Sequence, residues 1–265
     1  MNLTRSVAVA QTCPIAGDVP TNLEEHVRLA RLAAEEGAQV VLFPELSLTG
    51  YELGLAERLA FAEDDSRLSV LLGAAASHGL TLIVGAPVRT GPRLHIGAFI
   101  LSPEGTSELY TKQRLGAFPP SACCDGTVPP AEATVFQAGE RNPLVQFGGN
   151  VAAVAVCADV GRPSHPQQAA ERGAKTYLAS MFVIPSEFDG EVSKLKGYAV
   201  QHSMMVALAN FGSPTGGLAS AGRSTIWSES GELLVQLEAN GAGVAIVTET
   251  GQGRRAKAIN LSDDW

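Results

Sequence analysis

The sequence predicts an α/β protein in which helices cover a pair of related β–α–β halves. Three observations carry that prediction. Short apolar runs bounded by turn residues recur along the chain, as buried strands do, and the segments between them place apolar residues at helical spacing. A junction also recurs: Ala33-Ala-Glu-Glu-Gly-Ala38 precedes Val40-Val-Leu-Phe43, and Ala169-Ala-Glu-Arg-Gly-Ala174 precedes Tyr177-Leu-Ala-Ser180. Each junction follows a Val/Ala-rich run by a comparable interval. Because Ala-Gly-Ala is common where a helix gives way to a strand, chance recurrence stands beside internal duplication, and either leaves the class unchanged.

In chain order, Ser6-Val-Ala-Val-Ala-Gln-Thr12 is the first buried strand, and Thr21-Asn-Leu-Glu24 after Pro20 has the form of a capping box that starts a helix. Leu23, Val27, Ala30, Leu32 and Ala34 continue its apolar face to a stop at Gly37, and Ala38 to Phe43 is the second strand. Pro44 ends that strand, and Glu45 follows. A loop over 46–51 leads to a helix near 66–78, then a strand over 80–85. Runs at 96–101 and 107–110 flank Pro103-Glu104-Gly105 as a hairpin that closes at Lys112. Residues 113–130, rich in Pro, Gly and small side chains, form a long loop of the kind that is commonly functional. Val151 to Val156 delivers Cys157 to a turn, Ala158-Asp-Val-Gly-Arg-Pro163. A helix near 192–204, a strand over 206–210 and a last pair of strands around 228–232 complete one domain over 1–265, with 249–265 as a C-terminal tail.

Composition excludes several functions. A chain of 265 residues with 45% hydrophobic content can bury a sizeable core, and a net charge of −8 without basic blocks argues against nucleic acid. The N-terminus lacks the apolar core of a signal peptide, and no run reaches the ~18 apolar residues of a membrane span, so a cytoplasmic protein is expected. Cys13, Cys123, Cys124 and Cys157 form no disulfide framework, and the five histidines show no metal-ligand spacing. No phosphate-binding or dinucleotide motif is present. Neither metal nor cofactor is expected.

Cys157 at a strand end reads either as a small core residue or as a nucleophile placed where open α/β sheets bind ligands. Glu45 holds a similar strand-end position, and Lys112 ends the hairpin. Together the three can perform acyl transfer through a thioester: a thiol needs a base at neutral pH, a buried carboxyl can serve, and an ammonium stabilises an oxyanion. A cysteine protease would need a histidine partner, and none lies in a suitable motif.

Three separated motifs resemble the carbon–nitrogen hydrolase (nitrilase) superfamily: Phe43-Pro-Glu45-Leu-Ser-Leu-Thr-Gly-Tyr51, Tyr110-Thr-Lys112-Gln-Arg-Leu115 and Val154-Ala-Val-Cys157-Ala-Asp159. Gly222-Arg-Ser-Thr-Ile-Trp227 with Gly231-Glu-Leu-Leu234 is similar to the family's late strand pair. The resemblance implies a four-layer α-β-β-α sandwich. It implies Glu45 as general base, Lys112 as oxyanion stabiliser, Cys157 as nucleophile and Glu132 as the further glutamate that positions Lys112. It also implies that the amide of Ala158 completes the oxyanion site, that Tyr51 and Phe182 contact substrate, and that the protein is a homodimer or larger homo-oligomer. The chain departs from the family's pattern at Ser164 and His165 after Pro163, and at Arg114 in place of a histidine. The expected activity is hydrolysis of a small linear amide or N-carbamoyl compound by water with release of ammonia. The alternatives are a nitrilase and a catalytically silent binding protein. Arg114, Arg162 and Arg223 are candidate clamps for a substrate carboxylate, with solvated surface arginines as the plain alternative.

Overall fold

The computed structural model describes residues 4–123 and 127–261; Cys124, Asp125 and Gly126, where the sequence shows no substrate signature, lie outside the described residues. The first half runs β1 (Arg5–Gln11), α1 (Val19–Glu35), β2 (Val40–Leu42), α2 (Ala56–Leu59), α3 (Ser69–His78), β3 (Thr81–Thr90), β4 (Arg93–Leu101) and β5 (Ser107–Thr111). The second runs β6 (Leu144–Phe147), β7 (Asn150–Val156), α4 (Ser164–Glu171), β8 (Thr176–Ser180), α5 (Phe188–His202), β9 (Met205–Ala209), β10 (Thr225–Trp227) and β11 (Leu233–Gln236). β12 (Gly243–Thr250) and β13 (Gly253–Asn260) end the chain.

One sheet has the order β13-β12-β1-β2-β3-β4-β5 and the other β11-β10-β9-β8-β7-β6. In each, three parallel strands (β1, β2, β3 and β7, β8, β9) lie between antiparallel neighbours. The halves therefore share one strand order, with β13 the extra strand. Alternation explains the layers. Val7 and Val9 of β1 and Val154 and Val156 of β7 point into the core between the sheets. Ala8 and Ala10 pack with α1 and α3, and Ala153 and Ala155 pack with α5. Period two along a strand sends successive side chains to opposite faces, and alanine on the outer faces lets the helices approach closely. The result is the expected four-layer α-β-β-α sandwich. Ser180 Oγ at the end of β8 donates to the Phe43 carbonyl at 2.8 Å, joining the sheets beside Glu45.

Several elements differ from the sequence reading. The Thr21–Glu24 capping box is not used: α1 starts earlier, at Val19, and Asp18 caps it by accepting from Thr21 N at 3.2 Å. Pro20 sits inside the first turn, where its missing N–H costs nothing. The segment from 249 on is not a tail as far as Asn260. It ends β12 and forms β13, paired from Gly243↔Asn260 to Thr250↔Gly253. Arg254, Arg255 and Lys257 make β13 a charged edge strand, a common protection against edge pairing and one that hides the apolar strand signal. Glu45 and Cys157 follow β2 and β7, the middle and an outer strand of their parallel trios, so the two positions are not equivalent.

The loop after β2 rests directly on β3. A Cβ at Gly85 would stand 2.5 Å from the Pro44 carbonyl oxygen and closer still to Leu46 N. Gly85→Ala is therefore expected to displace the segment carrying Glu45 and to destabilise the protein by about 1–3 kcal/mol, the cost of overpacking a filled site. Urea unfolding checks this, and an unchanged midpoint would refute the close fit.

Candidate active site

Four segments deliver the four site residues. Glu45 follows the Phe43-Pro44 end of β2 and lies in a turn closed by Ser47 N to Pro44 O at 3.2 Å. Behind it, His26 of α1 reaches Ser47 Oγ at 2.8 Å. Lys112 directly follows β5, with its N–H on Ile96 O and its carbonyl accepting from Gly139 N. Glu132 opens a single helical turn, and Cys157 opens another directly after β7. Cys157 has φ +43°, a left-handed conformation that a non-glycine residue adopts only when its surroundings enforce it.

The side chains converge on Lys112. Its Nζ lies 2.5 Å from Glu45 Oε1 and 2.7 Å from Glu132 Oε1, and all three residues are essentially inaccessible to solvent. Glu132 is itself held by the Tyr51 hydroxyl at 2.7 Å and by Gly116 N on Oε2 at 2.7 Å. Glu45 Oε2 is buried without a hydrogen-bond partner among the described residues. The Cys157 thiol is near enough to stabilise the Glu45 carboxylate weakly, and its Sγ lies 3.8 Å from the Phe182 carbonyl.

Burial dominates the proton affinities. It pushes the Glu45 carboxyl up to about 7, against the pull of Lys112 and with the help of Glu132. Burial also works against charge on Lys112, but Glu45, Cys157 and Glu132 together hold its pKa above the ordinary lysine value. The Cys157 thiol is pushed well up, first by burial and then by the Glu45 charge, and Lys112 offsets this only in part. The resting group is thus a protonated thiol beside a carboxyl that titrates near neutrality and a fixed ammonium. Such a carboxyl can both accept and return a proton at working pH.

Cys157, half-buried, lines a cavity of about 350 Å³ together with Ala158 and Glu132. Tyr51, Phe118 and Phe182 form one wall, with ring centroids 5.1–5.5 Å apart. Tyr51, Ala158 and Phe182, the expected substrate contacts, all lie on this cavity. Of the three arginines, Arg114 lines it. Arg223 instead lies over the Phe188 ring at 5.2 Å, and neither it nor Arg162 lines the cavity. The sequence reading missed Phe118, Glu187, Glu191 and Lys194 at the cavity. Phe118 lies in an aperiodic loop, and the α5 charges, with Glu191 and Lys194 paired at 2.7 Å, look like an ordinary solvated face. Among the described residues no group of three His, Cys, Asp or Glu side chains could hold a metal, and no helix is long and apolar enough to cross a membrane.

Residues 6–256 match the family model described as carbon-nitrogen hydrolase. The chain belongs to the carbon–nitrogen hydrolase family. Among solved members, the amidase from Nesterenkonia sp. AN1 superposes with a TM-score of 0.81 at 28% identity, over 93% of this chain and 90% of that one, in a Glu-to-Gln variant showing covalent addition of the acetamide moiety of fluoroacetamide at its active-site cysteine. A Cys-to-Ala variant of that amidase was solved with butyramide, with a TM-score of 0.80 at 28% identity, over 93% of this chain and 91% of that one. This carbon–nitrogen hydrolase is also 28% identical, over 84% of its length, to the glutamine-dependent NAD(+) synthetase of Mycobacterium leprae, but spans only 35% of that relative. It is 26% identical to a Pseudomonas protegens protein described as a hydrolase in the pqqF 5′ region, over 86% of this chain and 77% of the relative.

The paired charges generate a stability prediction. Lys112→Met leaves two buried carboxylates facing each other without a cation, a loss on the order of 3–5 kcal/mol at neutral pH. The folded variant then retains a proton that the unfolded chain releases above its ordinary carboxylate pKa. The parent's Glu45 also keeps its proton up to about pH 7, so the folded variant binds more protons than the folded parent above that, and its stability relative to the parent falls as pH rises from about 7 to about 9. Urea unfolding across that range checks the sign, and a deficit that shrinks with pH would refute it.

Proposed function

We propose that this carbon–nitrogen hydrolase cleaves a short linear amide through a thioester on Cys157, with Glu45 as proton carrier and Lys112 as oxyanion partner. The observation that carries the reading is the Lys112 ammonium bridging Glu45 and Glu132 beside the thiol, at the base of a small cavity. Glu45 takes the S–H proton as the sulfur attacks the carbonyl carbon. The C–S bond forms, and the carbonyl π electrons move to oxygen. Lys112, with the backbone N–H of Ala158, stabilises that oxygen, the kind of contact worth roughly 2.7–4 kcal/mol. When the intermediate collapses, Glu45 passes its proton to the nitrogen, which leaves as ammonia. Water then attacks the thioester, Glu45 accepts a proton from it, and the sulfur leaves with that proton as the acid is released.

A carboxyl near pH 7 suits both proton transfers, because it gives up and regains a proton with little driving force lost in either direction. Glu132 positions the ammonium and is held by Tyr51 and Gly116. The aromatic wall suits a short apolar acyl group. Butyramide, bound by the Nesterenkonia amidase variant, is accordingly the first substrate to test.

With butyramide the protein should release ammonia, and mass spectrometry of acid-quenched samples should show a butyryl adduct on Cys157. Cys157→Ala should fold and lose all turnover, and Glu45→Gln should lose at least about 10²-fold, since an amide matches the carboxyl in shape but takes no proton. Ammonia from butyronitrile but not from butyramide would replace this reading with a nitrilase. Absence of any adduct across an amide series would support a silent binding protein.

A further inference from the structure

We propose that Asp159 is a positioning residue that locks the Cys157 turn and the pocket wall after Lys112 into one unit. Asp159 lies two residues beyond Cys157 in the same helical turn and is 1% exposed. Its Oδ1 accepts from Gln113 N at 3.1 Å and Arg114 N at 2.7 Å, the two peptide groups directly after Lys112. Its Oδ2 accepts from the Tyr110 hydroxyl at 2.7 Å and from Val156 N at 3.2 Å. A carboxylate offers about four acceptor sites, and all four are filled by donors from the two segments that carry Lys112 and Cys157. The shared carboxylate thus ties the position of the ammonium to that of the thiol.

The support extends outward. Because Tyr110 gives its proton to Asp159, His165 Nε2, 3.1 Å away, must donate to the Tyr110 oxygen, leaving Nδ1 to accept from the Tyr177 hydroxyl at 2.9 Å. That chain reaches from β8 through α4 to β5. Glu132 pins the far end of the same wall through Gly116 N. The wall over 113–116 is held at both ends by buried carboxylates, and its residues Arg114, Leu115 and Gly116 line the cavity. Asp159 touches no reacting atom; it acts through the turn that holds Cys157 at φ +43°.

The turnover arm of the test rests on the amidase reading, whereas the alkylation arm needs only the thiol. Asp159→Asn keeps the side-chain shape but aims N–H groups at donors. It should lower kcat for butyramide by about 100-fold with KM within about threefold, as expected when a reacting group is displaced without loss of substrate contacts. Alkylation of Cys157 by iodoacetamide, followed by mass spectrometry, should slow by about tenfold or more while circular dichroism reports a folded protein. Tyr110→Phe removes one of the four donors and should slow both reactions by about 3- to 10-fold. A folded Asp159→Asn protein with kcat and alkylation within about twofold of the parent would overturn the proposal, even if its melting temperature fell. Should Asp159→Asn fail to fold, Tyr110→Phe rates equal to the parent's would overturn it instead. If the parent hydrolyses no amide, the functional reading fails alone and the alkylation rates still decide the role of Asp159.

Discussion

The site depends on one shared charge. A single ammonium, Lys112, bridges two carboxylates in a place that excludes solvent, and even with that ammonium beside it burial raises the proton affinity of Glu45. Three buried ionisable groups are a poor way to stabilise a fold, since each loses several kcal/mol of hydration that packing apolar side chains would not. Their retention is understandable as chemistry. The pair leaves Glu45 with one oxygen committed to Lys112 and the other without a hydrogen-bond partner among the described residues, with a proton affinity set between its burial and its neighbours.

Keeping such a group in place requires a rigid frame, and the frame is distributed over both halves. Gly85 of β3 admits the Glu45 loop, His26 of α1 braces it through Ser47, and Ser180 of β8 fastens the end of β2 to the opposite sheet. On the other side, β7 feeds Cys157 into a left-handed turn that Asp159 closes from within. Glu45 is therefore braced by elements it does not belong to, and Asp159 joins the Cys157 turn to the segment after Lys112 through Gln113 N and Arg114 N. That is why a turn as strained as the one at Cys157 persists.

Much of this was legible in the sequence, and the reasons for the rest are physical. Val7 and Val9, Val154 and Val156 show the parallel strands because strands covered on both faces must be apolar throughout. The three motifs pointed to Glu45, Lys112 and Cys157, which the fold brings together. Glu132 was named only through family resemblance, since a carboxylate in an aperiodic loop carries no mark of burial; only the folded contact with Tyr51 and Lys112 distinguishes it. The strands β6 and β13 were missed because short or charged edge strands lack the continuous apolar run that marks a central one, whereas β12, an interior strand, does carry such a run, Val244 to Val247, and was passed over.

The order of strands in the first sheet also shapes how the chain can acquire its structure. β1 lies between β2, about thirty residues away, and β12, which arrives only near residue 243. During synthesis, then, one edge of a largely apolar strand stays unpaired until the residues of β12, from Gly243 on, have been made. Until then the nascent sheet presents Val7 to Ala10 as a sticky edge, the feature most prone to pair with a neighbouring chain. The hairpin of β12 with its charged partner β13 is what retires that edge, so a nonsense truncation between the Cys157 turn and β12 would yield an aggregation-prone chain even though every residue around Cys157 had been made.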